Sequence, residues 1–432
     1  MVGISDKVKQ ELDNIISIAT NYSDGTVNES LFRDVLQSLK KDPDTIRSSE
    51  EYLRQKGVYV VSDRMEIEET DENLNFTDFY EIKPYDPSKI DISPKNLALT
   101  NLLSRIENDE IDLMPDFQRK SGLWSQIQKS QLIESLILRI PLPAFYFDGT
   151  DNDRWIIIDG LQRLTALKEF FVDKTLSLTG MEFLRDLNNV DYDCMPGVYI
   201  RRMQETQVVC YIINPGAPVN LKYNIFKRIN TGGLELESQE IRHALFQGFS
   251  TTYLKELADS KAFLQATGYS IPRDRMLDRE FVLRFIAFFE FGVHTYTGSI
   301  DEYLNKAMEY INKNYENDKN YAKEVEDKFI IVLNGCSKIF GKFAFRRMPD
   351  QVRRRSISKA LFETWTSLLA KLSDDQMRLL IERKDILCAK YMPMFTGDEE
   401  FYKSIGSGKV AAVKKQFEKI ERLIKEVLAI DS

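Results

Sequence analysis

The sharpest change of hydrophobic pattern along this chain falls between Arg154 and Phe171. Trp155-Ile156-Ile157-Ile158 is a largely β-branched run of the kind that makes a buried strand, and it stops at Asp159-Gly160. From Gln162 the spacing changes. Leu164, Leu167, Phe170 and Phe171 recur three and four residues apart, so one helical face is apolar while Gln162, Arg163 and Lys168 point elsewhere. The pattern predicts strand, tight turn, helix. Upstream, Ala144 to Phe147 and Arg154 to Ile158 predict two arms of a hairpin turned at Gly149 to Asp153. Ser125 suits the N-cap of a helix through Ile127, Leu132, Ile133, Leu136 and Ile137 that ends before Pro141. Another helix is predicted through Leu97, Leu99, Leu102 and Leu103, and Ile111 to Leu113 leads into Pro115. Downstream, Leu176 to Val198 has no period and Glu205 to Ile213 is a third strand of the same sheet. Leu221, Ile225, Phe226 and Ile229 make a helical face, and Ser238 opens a further helix.

The flanks differ from this core. Residues 1–63 predict a small helical module: Val8, Leu12, Ile15 and Ile16 fit a first helix, Asn28 caps a second through Leu31, Phe32, Val35 and Leu36, and Asp44 caps a third. The module closes with the strand-like Val58 to Val61, which suggests a winged-helix-like or docking unit. Residues 64–93 read as an acidic, proline-interrupted linker containing Phe76, Phe79, Tyr80 and Tyr85. The core spans residues 94–250. From residue 251 to 432 the pattern is almost wholly helical, with predicted helices over Phe281 to Phe291, Tyr321 to Phe340, Ser358 to Leu372, Asp375 to Leu387 and Lys409 to Ile430. The expected architecture is therefore α+β: a small mixed-sheet core, a large C-terminal helical bundle and a small N-terminal helical module.

Charge sharpens the picture more than composition does. Residues 1–93 hold 11 Lys/Arg against 20 Asp/Glu, and the remainder 48 against 47. The acidity thus lies at the N-terminal end, which does not describe a globally basic nucleic-acid binder but leaves room for a local basic groove on the neutral part; the acidic module suits a basic protein partner, a mimic of nucleic acid or a stabilising appendage. No apolar run approaches the ~20 residues needed to cross a bilayer, and the N-terminus has no hydrophobic signal core, so no membrane association and a cytoplasmic location are expected. Cys194, Cys210, Cys336 and Cys388 are scattered without CxxC pairs and read as reduced thiols.

At the strand–helix junction the first backbone N–H groups of the helix are unpaired and the helix dipole is positive, so an anion is a natural guest. Arg163 adds a fork-shaped cation, Gly160 permits close backbone approach, and Asp159 can take a sugar hydroxyl, a metal ion or a base edge. The bland alternative is an ordinary turn with a solvated arginine. Gln118 and Arg119 offer donors for phosphate or a base edge, and Trp124 either stacks on a ligand or fills core. The 221–229 helix delivers Arg228 and Asn230 to Thr231-Gly232-Gly233, with Glu240 and Arg242 nearby; the alternative there is a helix cap beside a surface Glu240–Arg242 cluster. Phe345-Arg346-Arg347 and Arg353-Arg354-Arg355 form one basic cluster that either meets nucleic-acid phosphates or cancels neighbouring carboxylates.

Asp159-Gly160-Leu161-Gln162-Arg163-Leu164-Thr165 resembles the DGQQRLT signature of the ParB/sulfiredoxin-like domain that opens GmrSD-type restriction and phage-defence proteins. Three more blocks follow the family order. They are Pro115-Asp116-Phe117-Gln118-Arg119 with Trp124, then Gln131 to Ile137 leading to Ile140-Pro141-Leu142-Pro143, and Phe226 to Gly233 with Gln239-Glu240-Ile241-Arg242. Leu161 stands where the commonest signature has its first Gln, a departure that bears on nucleotide preference or turnover if that side chain reads the ligand. Ala19 to Asp63 also resembles the small acidic N-terminal region of primary sigma factors.

The resemblance implies a ParB/sulfiredoxin-like core that binds a nucleoside triphosphate of unspecified base with Mg²⁺. Gln118, Arg119, Gly160, Arg163, Thr165, Arg228, Asn230, Thr231, Gly232 and Gly233 would hold the nucleotide, Asp159 and Gln162 would act in hydrolysis, and Trp124, Glu240 and Arg242 would support them. Arg346, Arg347, Arg353, Arg354 and Arg355 are the expected phosphate contacts outside the core. DNA and a second copy of the chain are further expected partners, and no specific metal ligands are assigned. There is no GxxxxGK[ST] loop, and with His243 and His294 alone an HNH nuclease domain of the kind often attached to this family is not expected. Two other functions compete with nucleotide hydrolysis: a non-enzymatic nucleotide- or nucleic-acid-sensing regulator, and a metal-dependent DNA nuclease.

Overall fold

The computed structural model describes residues 6–22, 25–37, 43–61, 92–113, 124–150, 153–216, 218–229, 237–273, 275–351 and 354–430. The predicted linker falls almost wholly outside these residues. The chain divides into two compact units, residues 81–245 and residues 1–80 together with 246–432.

The first unit holds a five-stranded mixed sheet. After β1 (Thr26–Asn28) and β2 (Tyr59–Val61), which belong to the second unit, the strands of this sheet in chain order are β3 (Ile92–Ala98), β4 (Ile111–Asp112), β5 (Phe145–Asp148), β6 (Trp155–Asp159) and β7 (Gln207–Ile213), and their order across the sheet is β3-β7-β5-β6-β4. The predicted hairpin is present as the antiparallel pair β5–β6, with a bulge between Tyr146 and Phe147. The third predicted strand is β7, parallel to β5. Strand β3 was not expected. Its sequence, ISPKNLA, carries a proline and little alternation; it runs antiparallel to β7 at the sheet edge, where proline is tolerated because the missing N–H has no neighbour to meet. Leu97 consequently ends a strand rather than starting a helix, and the helix occupies Leu99–Glu107.

One sheet face is dry. Phe145 and Phe147, Trp155 and Ile157, and Val208, Cys210 and Ile212 pack with Leu132, Ile133 and Leu136 of helix Gln126–Ile137 and with Leu164 and Leu167 of helix Leu161–Leu167. Ser125 caps the first of these helices, accepting from Gln128 N while Gln128 Oε1 accepts from Ser125 N at 2.9 Å. Gln126, Ser130 and Glu134, spaced four apart on that helix, bind the strap 177–184: Gln126 donates to Ser177 O, Ser130 Oγ accepts from Thr179 N, and the buried Glu134 carboxylate accepts from the N–H groups of Glu182, Phe183 and Leu184. Helix Gly197–Gln204 follows, which the hydrophobic pattern did not announce. Helix Val219–Ile229 packs on β6, and at its start Lys222 lies 2.9 Å from the Asp148 carboxylate at the end of β5 and also meets the Thr150 hydroxyl.

In the second unit the N-terminal residues form helices Asp6–Tyr22, Glu29–Gln37 and Pro43–Gln55 around Leu12, Ile15, Ala19, Phe32 and Leu53. Asn28 Oδ1 accepts from Leu31 N as predicted, whereas the third helix begins at Pro43, ahead of Asp44. The β tail Tyr59–Val61 pairs in parallel with Thr26–Asn28 and is not the hairpin of a wing. The C-terminal residues are helical, including Leu277–Phe291, Lys319–Phe340, Lys359–Leu369 and Val410–Leu428. The single helix expected over 375–387 is instead two, Asp374–Glu382 and Lys384–Tyr391, broken at Arg383, whose guanidinium donates to the terminal carbonyls of Val427 and Leu428. Among the described residues no helix is long and apolar enough to cross a membrane.

Lys222 and Asp148 are 8% and 7% exposed. Removing one partner strands a buried charge, so Lys222→Met should cost about 3 kcal/mol or more in denaturant unfolding, while Lys222→Met with Asp148→Leu should recover most of it. An unchanged midpoint for the single variant would contradict this packing.

Candidate functional site

Strand β6 delivers Asp159 to the sheet's end, and the chain turns at Gly160, whose φ is +104°. Only glycine fits there. A Cβ would stand 2.5 Å from a Phe145 ring carbon, in a backbone region that side chains avoid. Helix Leu161–Leu167 follows without a side-chain cap and relaxes into a π turn, Lys168–Val172, that buries Phe170 and Phe171. The predicted strand, turn and helix are all present.

The arginine is arranged differently from the expectation. Arg163 is only 8% exposed, and its guanidinium is turned inward. It donates to Pro143 O, to Ala144 O at 3.1 Å and to Asp159 Oδ2 at 2.7 Å, and it lies over the Phe145 ring at 4.6 Å. Burial lowers its pKa and the Asp159 carboxylate opposes that shift. An arginine so placed keeps its charge, but its fork is committed to protein acceptors. The solvent-facing partner is Asp159, whose side chain is 34% exposed. Arg163 therefore acts on any guest by holding the Asp159 carboxylate and the chain entering β5. Leu161, the departure from the family signature, is buried in the core, so it faces away from the junction's open side.

Gln162 links this junction to the preceding motif block. Its Oε1 accepts from Trp124 N at 3.2 Å. Trp124 is half-buried and packs against the core, which favours the packing role for its ring. Gln118 and Arg119 lie outside the described residues, in the stretch that ends beside Trp124. Thr165 is half-buried on the same helix. Arg228 is exposed in the last turn of helix Val219–Ile229, and Asn230, Thr231, Gly232 and Gly233 lie outside the described residues. Glu240 and Arg242 are each 1% exposed, so the surface-cluster alternative is set aside. Glu240 accepts from Glu237 N at the start of helix Ser238–Leu245, and Arg242 stacks over the Tyr223 ring at 5.4 Å.

The sheet face beside Asp159 carries a feature that motif spacing did not expose. Pro94 on β3 is paired with Tyr211 on β7, Tyr211 with Tyr146 on β5, and Tyr146 with Asp159 on β6. One rank thus crosses four strands. The Tyr146 and Tyr211 rings stack at 4.9 Å with 15° between their planes, and both are half-buried. The Tyr146 hydroxyl pKa is raised by burial, then by Tyr211 and Asp159, with Arg163 opposing, which places that hydroxyl in the field of the junction. The available signal was alternation: the two tyrosines occupy the positions of FYFD and VVCYII that point away from the dry face.

The arginine cluster outside the core is corrected. Arg346 is 2% exposed; its guanidinium donates to Arg355 O, to Thr267 O and to Ser270 Oγ. Arg354 meets Gly268 O and the same Ser270 hydroxyl, and Arg347 donates to Tyr402 O and Ile405 O over the Tyr402 ring. Arg346 is thus buried and committed to protein acceptors, whereas Arg347 and Arg354 are half-buried against loop and helix-end carbonyls, Arg355 is exposed and Arg353 lies outside the described residues. Among the described residues no group of three or more His, Cys, Asp or Glu side chains is placed to hold a metal ion.

Comparison with curated proteins and with solved structures returned no match. A family model does match: that of the GmrSD restriction endonuclease, N-terminal domain, over residues 99–247, which takes in the junction, helix Gln126–Ile137 and the Arg228 and Glu240 segments. The sheet-bearing unit of this chain carries a GmrSD N-terminal-type domain.

Proposed function

We propose that the 99–247 domain binds a nucleoside triphosphate at the Asp159–Gln162 junction and hydrolyses it, in a restriction or phage-defence function directed at DNA. The observation that carries this reading is the side-chain geometry at the end of β6. Asp159 is half-exposed and fixed by a buried arginine, and Gln162 on the next turn is bonded to the backbone that follows the Gln118-Arg119 block. The family match supplies the restriction context.

In this reading Arg119, Arg228 and the backbone N–H groups after Gly160 hold phosphate oxygens. Mg²⁺ arriving with the triphosphate would neutralise phosphate charge. Gln162 orients water toward the terminal phosphorus; the water oxygen bonds to phosphorus as the bridging P–O bond breaks and the water's proton passes to a phosphate oxygen, giving the diphosphate and inorganic phosphate. Asp159 accepts a hydrogen bond from that water or from the ribose. Arg163 is a positioning residue.

Two experiments separate these roles. In calorimetric titration with each ribonucleoside triphosphate and Mg²⁺, Asp159→Asn and Gln162→Ala should each weaken binding about tenfold, equivalent to ~1.4 kcal/mol, and slow phosphate release. Wild-type affinity and rate in both variants would remove the assignment. Arg163→Ala should act first on folding: two carbonyls and a carboxylate lose their donor, at a cost of about 2–4 kcal/mol after allowing for the partial exposure of Asp159. A melting temperature within a degree or so of wild type would contradict the inward-facing role, since about 2–4 °C is expected per kcal/mol in a domain of this size.

A further inference from the structure

The rank Pro94–Tyr211–Tyr146–Asp159 is left partly open to solvent by the described residues. At the other end of the same strands the non-dry face is covered: Asp148 and Ile213 are buried, and Lys222 from helix Val219–Ile229 closes over Asp148. At the Asp159 end the described residues leave this face half-open. Pro94 is exposed and the next three residues of the rank are half-buried. Four consecutive strands therefore present a proline, two parallel aromatic rings stacked on one another and a carboxylate in one line, with adjacent positions separated by the strand spacing of about 4.8 Å.

We propose that Tyr146, backed by the Tyr211 ring stacked on it, forms the stacking surface for the nucleobase of the bound nucleoside triphosphate, with Asp159 taking the ribose hydroxyls between base and phosphates. The inference rests on the nucleotide reading above and assigns the part of the ligand that reading leaves open. Aromatic rings on a sheet face accept bases because every base has a π face and the rings lose little freedom on binding. Geometry orders the ligand along the rank. The Gly160 turn and helix Leu161–Leu167 begin where Asp159 ends, so phosphates held there leave the ribose at Asp159 and the base one strand farther, over Tyr146. Arg163 pins the Asp159 carboxylate through Oδ2, which suits an acceptor for hydroxyl donors. Stacking alone does not choose among bases, so the platform predicts broad base tolerance with a preference for the larger purines.

The test uses the full chain, titrated calorimetrically with the four ribonucleoside triphosphates and with inorganic tripolyphosphate. Wild type should bind the nucleotides at least about tenfold more tightly than tripolyphosphate, and Tyr146→Leu and Tyr211→Leu should each remove about tenfold of nucleotide affinity while leaving tripolyphosphate binding unchanged. Tyr211→Phe, which keeps the ring, should bind as wild type does. Leucine variants that bind nucleotide like wild type would overturn the platform and leave the junction site standing; equal loss of both ligands would make the rings structural and overturn it as well. Wild type that binds neither ligand would instead defeat the nucleotide reading itself. A short single-stranded oligonucleotide bound in a tyrosine-dependent way, with nucleotides binding independently of the tyrosines, would assign the rank to a nucleic-acid strand and overturn the proposal. A second measurement needs no variant: 2-aminopurine riboside triphosphate should lose most of its fluorescence on saturating the wild-type chain, and undiminished emission at saturation would contradict stacking.

Discussion

The guanidinium of Arg163 joins three pieces of chain. It lies beneath the turn, holds the carbonyls of Pro143 and Ala144 where the chain enters β5, and grips Asp159 where β6 ends, with the Phe145 ring under its face. A buried cation is stable only with its donors satisfied, so the hairpin's two arms and the following helix must keep their present offset. The same bonds fix the Asp159 carboxylate at the open end of the sheet. Gly160 makes this possible, because any side chain there would collide with Phe145.

The junction's chemistry depends on what the strands around it supply. β5 and β7 run parallel, β6 antiparallel to β5, and this mixture aligns Tyr211, Tyr146 and Asp159. A shift of one residue in either pairing would turn the tyrosines into the dry face and bring phenylalanine or isoleucine beside the carboxylate. The bulge between Tyr146 and Phe147 absorbs the mismatch between the Tyr146–Asp159 and Phe147–Ile157 pairs. The Lys222–Asp148 pair fixes helix Val219–Ile229 at the opposite end of β5, which leaves the Asp159 end half-open.

Much of this was legible in the sequence where local physics is decisive. A β-branched run ending in Asp-Gly and giving way to 3.6-residue periodicity admits few structures, and Ser125 ahead of an apolar helical face announces a helix start. Edge strand β3 escaped notice because edge strands need neither alternation nor freedom from proline. The pairing of β7 with β5 brings residues more than 60 positions apart into register and leaves no local signature. Arginines were the residues most easily misread. Arg163 and Arg346 look like surface cations in sequence, yet each is buried against carbonyl groups, an arrangement visible only once the loops that present those carbonyls are in place. The substitution at Leu161 loses its apparent weight for the same reason, since that position faces the core.

A structure of the chain bound to a non-hydrolysable nucleoside triphosphate with Mg²⁺ tests the central claim most directly. The account predicts phosphates against the backbone after Gly160, Asp159 within hydrogen-bonding distance of the ligand, and Arg163 still bonded to Pro143 and Ala144. A nucleotide bound elsewhere, or Arg163 swung out of its pocket to grip phosphate, would contradict it.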